Sequence, residues 1–550
     1  MRELVMTTGA ATATEEASAT RQRPTGGGNA VARIALINPR FDVSFWGHDH
    51  VMPIVGKRAN TPVAALPLLA ALTPQQHVVT LIDENVEPLD YEVLAGMDIV
   101  GVTGMSVQRA RMKEILRELK QRGCFTVVGG PWVTVQEDYF GELADVIFVG
   151  EAEDTWPAFL EAWQGRQWNR RYEQQTKSDM TRVPTPRFDL LKMDQYLYAS
   201  LQISRGCPFT CEFCDIIVTF GRLPRLKTSA QVLAELDSLR VLHVHQVFIV
   251  DDNFIGNKQA IKGVLRDVIQ YQERYAYPFT FFTEATLDLA EDDELMRLMT
   301  DANIEAVFIG IETPNEAALK ETKKHQNVRP VKGSMLERIQ RVQCAGMEVT
   351  CGMIVGFDHD DAAIFQAQRE FLTDGHIPHA MVGMLYAIPK TPLHARLTKE
   401  GRLDPADQSE FGTNVIPLHL SRHQLREGYI EVMHALYAAP AYFERVEALL
   451  FGGYLGQGQL GSDQYEKRHP WVRVKQEVTQ ALVAVVFAYR LFMHVKEPEL
   501  RREYGQRLWR AVTAGVLPSF LSGYLYTCAL HFHYYKLVQG LREGRLVSTL

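Results

Sequence analysis

The sequence predicts an α/β protein with a doubly wound, flavodoxin- or Rossmann-like N-terminal domain, a partial (β/α)6 barrel and a helical C-terminal domain. Two series of short β-branched runs, each run followed by a helical stretch, predict the first two parts. The third part, residues 401–550, loses the strand pattern and becomes rich in aromatic residues. A chain of 550 residues is also too long for a single hydrophobic core.

Composition and charge restrict the class of protein. Hydrophobic residues make up 46% of the chain and charged residues 23%, as in ordinary globular proteins. The formal net charge of −8 provides no basic field, so we expect no nucleic-acid partner. Seven cysteines, an odd number, with no secretory signal pattern indicate a reducing cytoplasm. Residues 1–30, rich in Ala, Thr and Gly, are predicted to be a disordered tail.

The first strand–helix series predicts a domain over residues 31–164. Buried parallel strands are predicted for residues 32–39, 77–83, 97–105, 124–130 and 145–150. The clearest helix, over 107–123, has its apolar residues on one stripe and Gly123 as a stop signal. The next segment, 165–197, is polar, contains two prolines and is predicted to be a linker.

The second series predicts a barrel over residues 198–400. Its strands are predicted for residues 201–204, 246–252, 279–285, 306–312, 348–356 and 380–387. A complete barrel of this type needs eight strands, so six predict a partial one. Active sites of such barrels lie at the carboxyl ends of the strands.

The C-terminal domain contains a stretch without charge. Residues 511–530 carry no charged side chain and are long enough to span a bilayer. Pro518, Gly515 and Gly523 interrupt them, which favours two buried helices joined by a turn. Membrane association and an apolar substrate both remain open from this pattern.

Three cysteines are crowded into the loop after the first barrel strand. Cys207, Cys211 and Cys214 have the spacing C-x3-C-x2-C, and no fourth Cys or His lies nearby in the sequence. A structural zinc site needs four ligands, whereas an iron–sulfur cubane held by three thiolates leaves one iron open to substrate. We therefore predict an open cluster. The alternatives are a zinc knuckle completed by a distant ligand and a chance run of buried thiols.

This loop, with the aromatic Phe213 directly before its last cysteine, resembles the signature of the radical S-adenosylmethionine (radical SAM) superfamily. The α/β domain before it resembles the cobalamin-binding module of the cobalamin-dependent branch, and the helical domain resembles that of the hopanoid C-2 methylase-like group. The resemblance implies that the three cysteines hold a [4Fe–4S] cluster whose fourth iron is chelated by SAM. Cleavage of SAM would give methionine and a 5′-deoxyadenosyl radical that abstracts a hydrogen atom from the substrate.

The resemblance also implies which residues contact SAM. These are Phe213 near the adenine, Asp251, Asp252 and Asn253 after the second strand, Glu284 and Glu312 after the third and fourth, and Ile354 and Gly356 on the fifth. The alternative for each carboxylate is a helix cap or a salt bridge at the top of the barrel. Cys344 and Cys351 are predicted to be core residues.

Cobalamin needs small residues at the carboxyl ends of a parallel sheet, where its nucleotide tail threads inward. The predicted contacts are Ser106, Gly129, Gly130, Thr134, Gly150 and Glu151. The chain has no Asp-x-His-x-x-Gly motif, so we expect no histidine ligand below the cobalt. An ordinary flavodoxin-like domain without cobalamin would show similar glycine-ended strands.

The resemblance implies a C-methyltransferase that transfers methyl from methylcobalamin to an unactivated carbon. We expect a small-molecule substrate, of apolar character because the C-terminal helices are aromatic, and an electron donor such as flavodoxin or ferredoxin. The alternatives are a radical cyclase or rearrangement enzyme, a P-methyltransferase, and a cobalamin or Fe–S sensor without turnover.

Overall fold

The computed structural model describes residues 31–329, 333–406, 409–455, 458–513 and 515–549; the predicted tail, 1–30, lies outside them. The strands are β1 (Arg33–Asn38), β2 (Val78–Asp83), β3 (Ile99–Thr103), β4 (Thr126–Gly129), β5 (Val146–Val149), β6 (Arg171–Glu173), β7 (Ala199–Leu201), β8 (Ser204–Arg205), β9 (Arg225–Leu226), β10 (Gln246–Ile249), β11 (Thr280–Ala285), β12 (Ile304–Glu312), β13 (Glu348–Val355) and β14 (Ala380–Met384).

The helices of the first two domains are α1 (Met52–Val55), α2 (Ala65–Leu72), α3 (Tyr91–Ala95), α4 (Arg109–Gln121), α5 (Pro131–Val135), α6 (Thr155–Gln164), α7 (Ile216–Thr219), α8 (Ser229–Val241), α9 (Lys258–Arg274), α10 (Asp293–Asp301), α11 (Glu316–Glu321), α12 (His325–Val328), α13 (Met335–Cys344), α14 (Ile364–Asp374) and α15 (Pro392–Lys399). Those of the C-terminal domain are α16 (Arg422–Leu436), α17 (Ala439–Phe451), α18 (Gly461–Arg468), α19 (Pro470–His494), α20 (Pro498–Thr513) and α21 (Pro518–Arg542).

The N-terminal domain is a parallel six-stranded sheet in the order β2-β1-β3-β4-β5-β6. The five strands predicted from the sequence are confirmed, and so is the helix predicted over 107–123, which is α4. Its buried residues are Met112, Ile115, Leu116 and Leu119. The strand order reverses direction between β1 and β3, and this switch point opens the crevice where ligands bind doubly wound sheets.

The segment 165–197, predicted to be a linker, contributes the edge strand β6 to this sheet. Its residues Arg171, Tyr172 and Glu173 are half-buried or exposed, as befits an edge strand, so no apolar pattern marks it in the sequence. Three short 3-10 turns make up part of the remaining segment before β7.

The central domain has six parallel strands in the order β7-β10-β11-β12-β13-β14, so the predicted partial barrel is confirmed. The barrel is open between β7 and β14. A loop of the N-terminal domain lies at this gap: residues 59 and 60 accept backbone hydrogen bonds from the residues just before β7. Trp46 of the same loop contacts Phe308 on β12 and Met381 on β14.

The C-terminal helices cover the outside of the barrel. α16 packs against α14 and β14, and α21 packs along α19. Tyr524, Phe532 and Tyr534 of α21 are buried in the main hydrophobic core. These three aromatic residues therefore belong to the core between α21 and the barrel, and the apolar character of the substrate stays a prediction.

The uncharged stretch 511–530 is divided between α20 and α21, with a turn at residues 515–517. The prediction of two helices joined by a turn is confirmed. Within the described ranges, none of the helices combines the length and apolar character that crossing a bilayer requires.

Candidate active site

All three cysteines belong to the loop between β8 and β9. The Cys207 amide donates to the Gly221 carbonyl and the Cys214 amide to the Cys211 carbonyl, which folds the loop back on itself. Burial raises the pKa of Cys207, with a smaller contribution from the neighbouring Cys211. Burial also raises the pKa of Cys214. A metal centre that binds these sulfurs as thiolates therefore displaces protons.

Two amide side chains donate to the cysteine sulfurs. Asn253 Nδ2 lies 3.8 Å from Cys207 Sγ, and Gln326 Nε2 lies 3.5 Å from Cys211 Sγ. The Gln326 Oε1 atom is buried and has no partner within the described part of the chain. Hydrogen bonds to cluster sulfurs stabilise the thiolates and tune the reduction potential of the cluster, so this donor set fits an iron–sulfur centre.

The acidic residues after β10 support the cysteine loop. Asp251 accepts hydrogen bonds from the Ile203 amide and from the amide and hydroxyl of Ser204, at 2.7 to 2.9 Å. Asp252 accepts from the Gly206 amide at 2.7 Å, directly before Cys207. Burial raises the pKa of Asp251 to about 6 and that of Asp252 to about 7. Asp251, Asp252 and Asn253 therefore hold the beginning of the cysteine loop in place.

Glu284, at the end of β11, has a carboxyl group without a hydrogen-bond partner among the described residues. Its side chain is half-buried, and none of the described residues donates a hydrogen bond to its carboxyl oxygens. Burial, and then repulsion from Asp252 and Asp251, raise the pKa of Glu284 to about 8. An unpartnered carboxyl in this setting suits a ligand group that donates hydrogen bonds.

Glu312 and Lys324 form a buried ion pair beside the cysteines. Lys324 Nζ lies 2.6 Å from Glu312 Oε1, and both side chains are 9% exposed. Burial opposes the charged form of Lys324, but Glu312 and the Cys211 thiol hold its pKa above the ordinary value. Glu312 has a positive φ of 68°, a strained conformation for a non-glycine residue. The strained Glu312 thus holds the positively charged Lys324 side chain next to the loop of the three cysteines.

Phe213, the aromatic residue before the last cysteine, packs against apolar residues of the barrel, and its contact with adenine stays a prediction. Phe213 and Ile354 belong to one small apolar cluster, and the Phe213 ring lies 6.0 Å from that of Phe357. Gly356 has a positive φ of 101°, and a Cβ there would meet Leu425 of α16 at 2.9 Å. The glycine is thus needed for close approach of the C-terminal domain, and its contact with adenine stays a prediction.

The predicted cobalamin residues meet at the carboxyl ends of β3, β4 and β5. The Thr134 hydroxyl donates to the Gly130 carbonyl and accepts from the Gly150 amide, both at 2.9 Å. Gly130 and Gly150 have positive φ values of 102° and 78°, and a Cβ on Gly150 would meet no atom within 4 Å. Gly129 ends β4, and Ser106 begins the turn after β3.

An open edge of this kind fits a large planar cofactor. Met105 and Val107, in the turn after β3, are exposed apolar side chains that a bound corrinoid would cover. α5, at the end of β4, packs against α7, which follows Cys214. Lys390 of the barrel donates to the Thr134 carbonyl at 2.7 Å. The crevice therefore adjoins the cysteine loop.

Glu151 lies in an ion network between the two domains. Its Oε1 accepts from Arg205 at 2.9 Å and from Arg225 at 3.0 Å, and its Oε2 accepts from the Ser178 amide. Glu153 also pairs with Arg205, at 2.6 Å. Because Arg205 is two residues before Cys207, this network fixes the N-terminal domain against the cluster loop. A contact of the Glu151 carboxylate with cobalamin stays a prediction.

The barrel interior below the site is lined by aromatic rings. On β12, Val307 and Ile309 are buried in the outer core, so Phe308 between them faces inward. Phe248 on β10 and Phe282 on β11 pair with each other and also face inward, and their rings stack at 4.9 Å. Trp46 reaches Phe308 from the open side of the barrel.

Lys324 and Gln326 were not predicted from the sequence. They lie after α11 in a polar segment whose composition is that of a solvated loop, yet the fold buries both side chains. The one available signal was Glu312, since a carboxylate that ends a buried strand needs a cation, but several Lys and His residues follow it within the next thirteen positions.

Comparison with protein families assigns each domain. The model of the B12 binding domain matches residues 57–160, that of the radical SAM superfamily matches residues 201–369, and a domain of unknown function, DUF4070, matches residues 391–545. A parallel sheet with an open glycine-rich edge, next to a barrel with a three-cysteine loop, is thus the architecture of a cobalamin-dependent radical SAM enzyme.

Known relatives place the chain within this class. An uncharacterized methyltransferase of Synechocystis sp. is 38% identical over 418 residues, which cover 75% of this chain and 77% of the relative. The hopanoid C-2 methylase of Rhodopseudomonas palustris is 34% identical over 399 residues, covering 71% and 75%. The chain belongs to the hopanoid C-2 methylase-like group of the cobalamin-binding radical SAM superfamily, and it is a methyltransferase.

Solved structures confirm the fold. The cobalamin-dependent SAM radical enzyme OxsB, with aqua-cobalamin and SAM bound, superposes with a TM-score of 0.58 at 15% identity, over 94% of this chain and 85% of that one. The radical SAM methyltransferase TsrM of Kitasatospora setae gives 0.56 at 14% identity, over 73% and 82%.

The cofactors follow from the family. They are a [4Fe–4S] cluster, SAM and cobalamin, as predicted. The described residues contain no group of three or more Cys, His, Asp or Glu arranged around a single metal ion. The family match decides between the cluster and the zinc alternative, which the spacing of the cysteines left open.

Proposed function

We propose that this enzyme methylates an unactivated carbon of a largely apolar small molecule, with Cys207, Cys211 and Cys214 as cluster ligands. When bound, the cluster and SAM supply a substrate-activating radical, and cobalamin supplies the methyl group. The observation that carries the proposal is the position of the three-thiol loop, between the aromatic barrel interior and the glycine-lined crevice of the N-terminal domain. A substrate in the barrel mouth would lie near both cofactors.

The residues around the thiols have separate proposed roles. Asp251, Asp252 and Asn253 fix the loop, so that the sulfurs keep one geometry. Glu284 offers a carboxylate to the SAM amino group or ribose. Phe213 and Ile354 provide an apolar wall for the adenine, and Lys324 holds a positive charge near the cluster. The barrel and the N-terminal domain together exclude water from the reacting atoms.

We expect the pH dependence of SAM binding to reveal the role of Glu284. Its pKa is raised to about 8, so below pH 7 the carboxyl is mostly neutral and resembles the amide of Glu284→Gln. The wild type and this variant should therefore bind SAM equally at pH 6, whereas at pH 9 the ionised wild type should bind about tenfold more tightly. Equilibrium dialysis with the cluster-loaded proteins measures the SAM affinity of the wild type and of the variant at each pH. If the wild type and Glu284→Gln showed the same pH dependence of SAM affinity, Glu284 would not belong to the SAM site.

We expect Gly150→Ala to weaken cobalamin binding. Gly150 and Gly123 both have positive φ, 78° and 72°, and a Cβ on either would meet no protein atom within 4 Å. The backbone strain of about 1 kcal/mol is thus equal, but only Gly150 lies at the crevice. Overpacking there should cost at least about tenfold in cobalamin affinity, and Gly123→Ala should cost nothing. If absorbance titrations gave equal cobalamin affinities for Gly150→Ala and Gly123→Ala, cobalamin would not bind beside Gly150.

The reaction type is tested by its products. With the reduced, fully loaded enzyme and substrate, methylation gives 5′-deoxyadenosine and S-adenosylhomocysteine together. 5′-Deoxyadenosine alone would favour the cyclase or rearrangement alternative, and neither product would favour the sensor. Deuterium-labelled SAM methyl groups then identify whether carbon or phosphorus receives the methyl group.

The substrate and partners are proposed on less direct grounds. The inward-facing Phe248, Phe282 and Phe308 favour an apolar substrate, and the R. palustris relative is named for methylation of a hopanoid, so polycyclic lipids are the first compounds to assay. SAM cleavage needs one electron, for which flavodoxin or ferredoxin is the proposed donor. In the described residues all seven cysteines are unpaired, which supports a reducing cytoplasm.

A further inference from the structure

The outward face of α19 is apolar along its whole length. Seven exposed side chains, spaced three or four residues apart, form the surface that we call the α19 apolar face: Trp471, Val474, Val478, Leu482, Val485, Tyr489 and Met493. Each is at least 50% exposed, and Trp471 reaches 85%. At 100° per residue the seven positions fall within an arc of about 100°, and the helical rise places the first about 33 Å from the last.

The protein uses only the opposite side of this helix for its own packing. Ala484 and Leu491 are buried, and the helix lies against α21 and α1. Soluble proteins rarely expose apolar stripes as long as this one, and such a stripe on a helix face usually marks an interaction surface. The outer side of α19 is therefore expected to have a partner.

The charge around this face identifies the kind of partner. Residues 470–513 carry eight Lys and Arg against four Glu, in a chain whose formal net charge is −8. Arg473 and Lys475 are exposed at the beginning of α19. Arg501, Arg502 and Arg510 are exposed on α20, next to the exposed Trp509 and Val512. Basic residues beside an apolar helix face with Trp and Tyr are typical of helices that lie on anionic membranes.

We infer that the α19 apolar face binds the surface of an anionic lipid bilayer, with the helix in the plane of the interface. The inference is independent of the proposed reaction, because none of these residues belongs to the cofactor sites. α1, which packs against α19, begins six residues after Trp46. The bilayer would thus lie on the side of the molecule where the N-terminal loop meets the open edge of the barrel.

The experiment is flotation of the purified holoenzyme with vesicles. We expect binding to vesicles of phosphatidylcholine and phosphatidylglycerol (3:1), and at least about tenfold weaker binding to pure phosphatidylcholine. Trp471→Ser/Leu482→Ser/Val485→Ser should abolish binding, and Arg473→Glu/Lys475→Glu should weaken it about tenfold. Because these side chains are exposed, circular dichroism and SAM cleavage should stay as in the wild type.

The matched control removes exposed apolar groups elsewhere. Val93→Ser/Val241→Ser alters two exposed valines, on α3 and α8, and should leave vesicle binding unchanged. The inference is overturned if the holoenzyme fails to float with anionic vesicles, or if it binds neutral vesicles equally well. It is also overturned if the triple serine variant floats normally. Failure to bind vesicles together with self-association that the triple variant abolishes would assign the face to a second copy instead.

Discussion

Cys211→Ala should contain no [4Fe–4S] cluster and should produce no 5′-deoxyadenosine from SAM. Cys211 is the buried member of the three cysteines and accepts a hydrogen bond from Gln326 at 3.5 Å. With two thiolates left, the cubane loses one of its three anchors, and no other Cys or His in the loop can replace it. Iron and sulfide analysis after anaerobic reconstitution, followed by chromatography of the SAM products, measures both losses. The expected decrease is to background.

The control for this variant is Cys344→Ala. Cys344 ends α13 and is only partly buried, so its replacement removes a thiol without a large cavity. We expect this variant to assemble the cluster and to cleave SAM at the wild-type rate. Cluster assembly or SAM cleavage retained in Cys211→Ala would refute the ligand assignment. Loss of both in Cys344→Ala would show that one of the three proposed ligands is misplaced.

Lys324→Met should destabilise the protein strongly, because it leaves Glu312 as a buried carboxylate without its cation. Both partners are 9% exposed, so solvent screens the pair little. Removal of one member of such a pair costs about 3 to 5 kcal/mol. The double variant Lys324→Met/Glu312→Gln replaces the charged pair by neutral side chains and should recover most of that free energy of unfolding. Denaturant unfolding of the metal-free protein measures the cycle.

The same cycle separates stability from function. The double variant restores folding but not the positive charge beside the cluster loop, so its reduced cluster should be less stable and its reduction potential lower than in the wild type. A redox titration followed by EPR measures the potential without any need for turnover. If the double variant recovers both stability and the wild-type potential, Lys324 serves only to neutralise Glu312.

The domain architecture was predictable because buried strands appear in the sequence as short runs of apolar residues. Strands covered on both faces must be apolar throughout, which marked β1 to β5 and the barrel strands. β6 escaped detection because an edge strand of Arg, Tyr and Glu carries no such pattern. The loop of the N-terminal domain at the open side of the barrel was likewise invisible, since contacts such as Trp46 with Met381 join residues far apart in the sequence.

The site was predictable where chemistry fixes the spacing. Three thiolates that one loop offers to one cluster have a short spacing in the chain, so the three cysteines were predicted from the sequence, and Phe213 was predicted from the family resemblance. Residues that act through tertiary contacts were not, as Lys324 and Gln326 show. A local motif also cannot distinguish a ligand from a support: Asp251 has the position expected of a SAM contact, but its carboxylate holds the backbone of residues 203 and 204.

The central claim is that Cys207, Cys211 and Cys214 hold a cluster with one open iron that SAM occupies. The most direct test is the EPR spectrum of the anaerobically reduced protein before and after addition of SAM. Direct ligation of the open iron predicts a clear change in the g values of the reduced [4Fe–4S] signal. Zinc in place of iron, or an iron–sulfur spectrum that SAM leaves unchanged, would contradict the account.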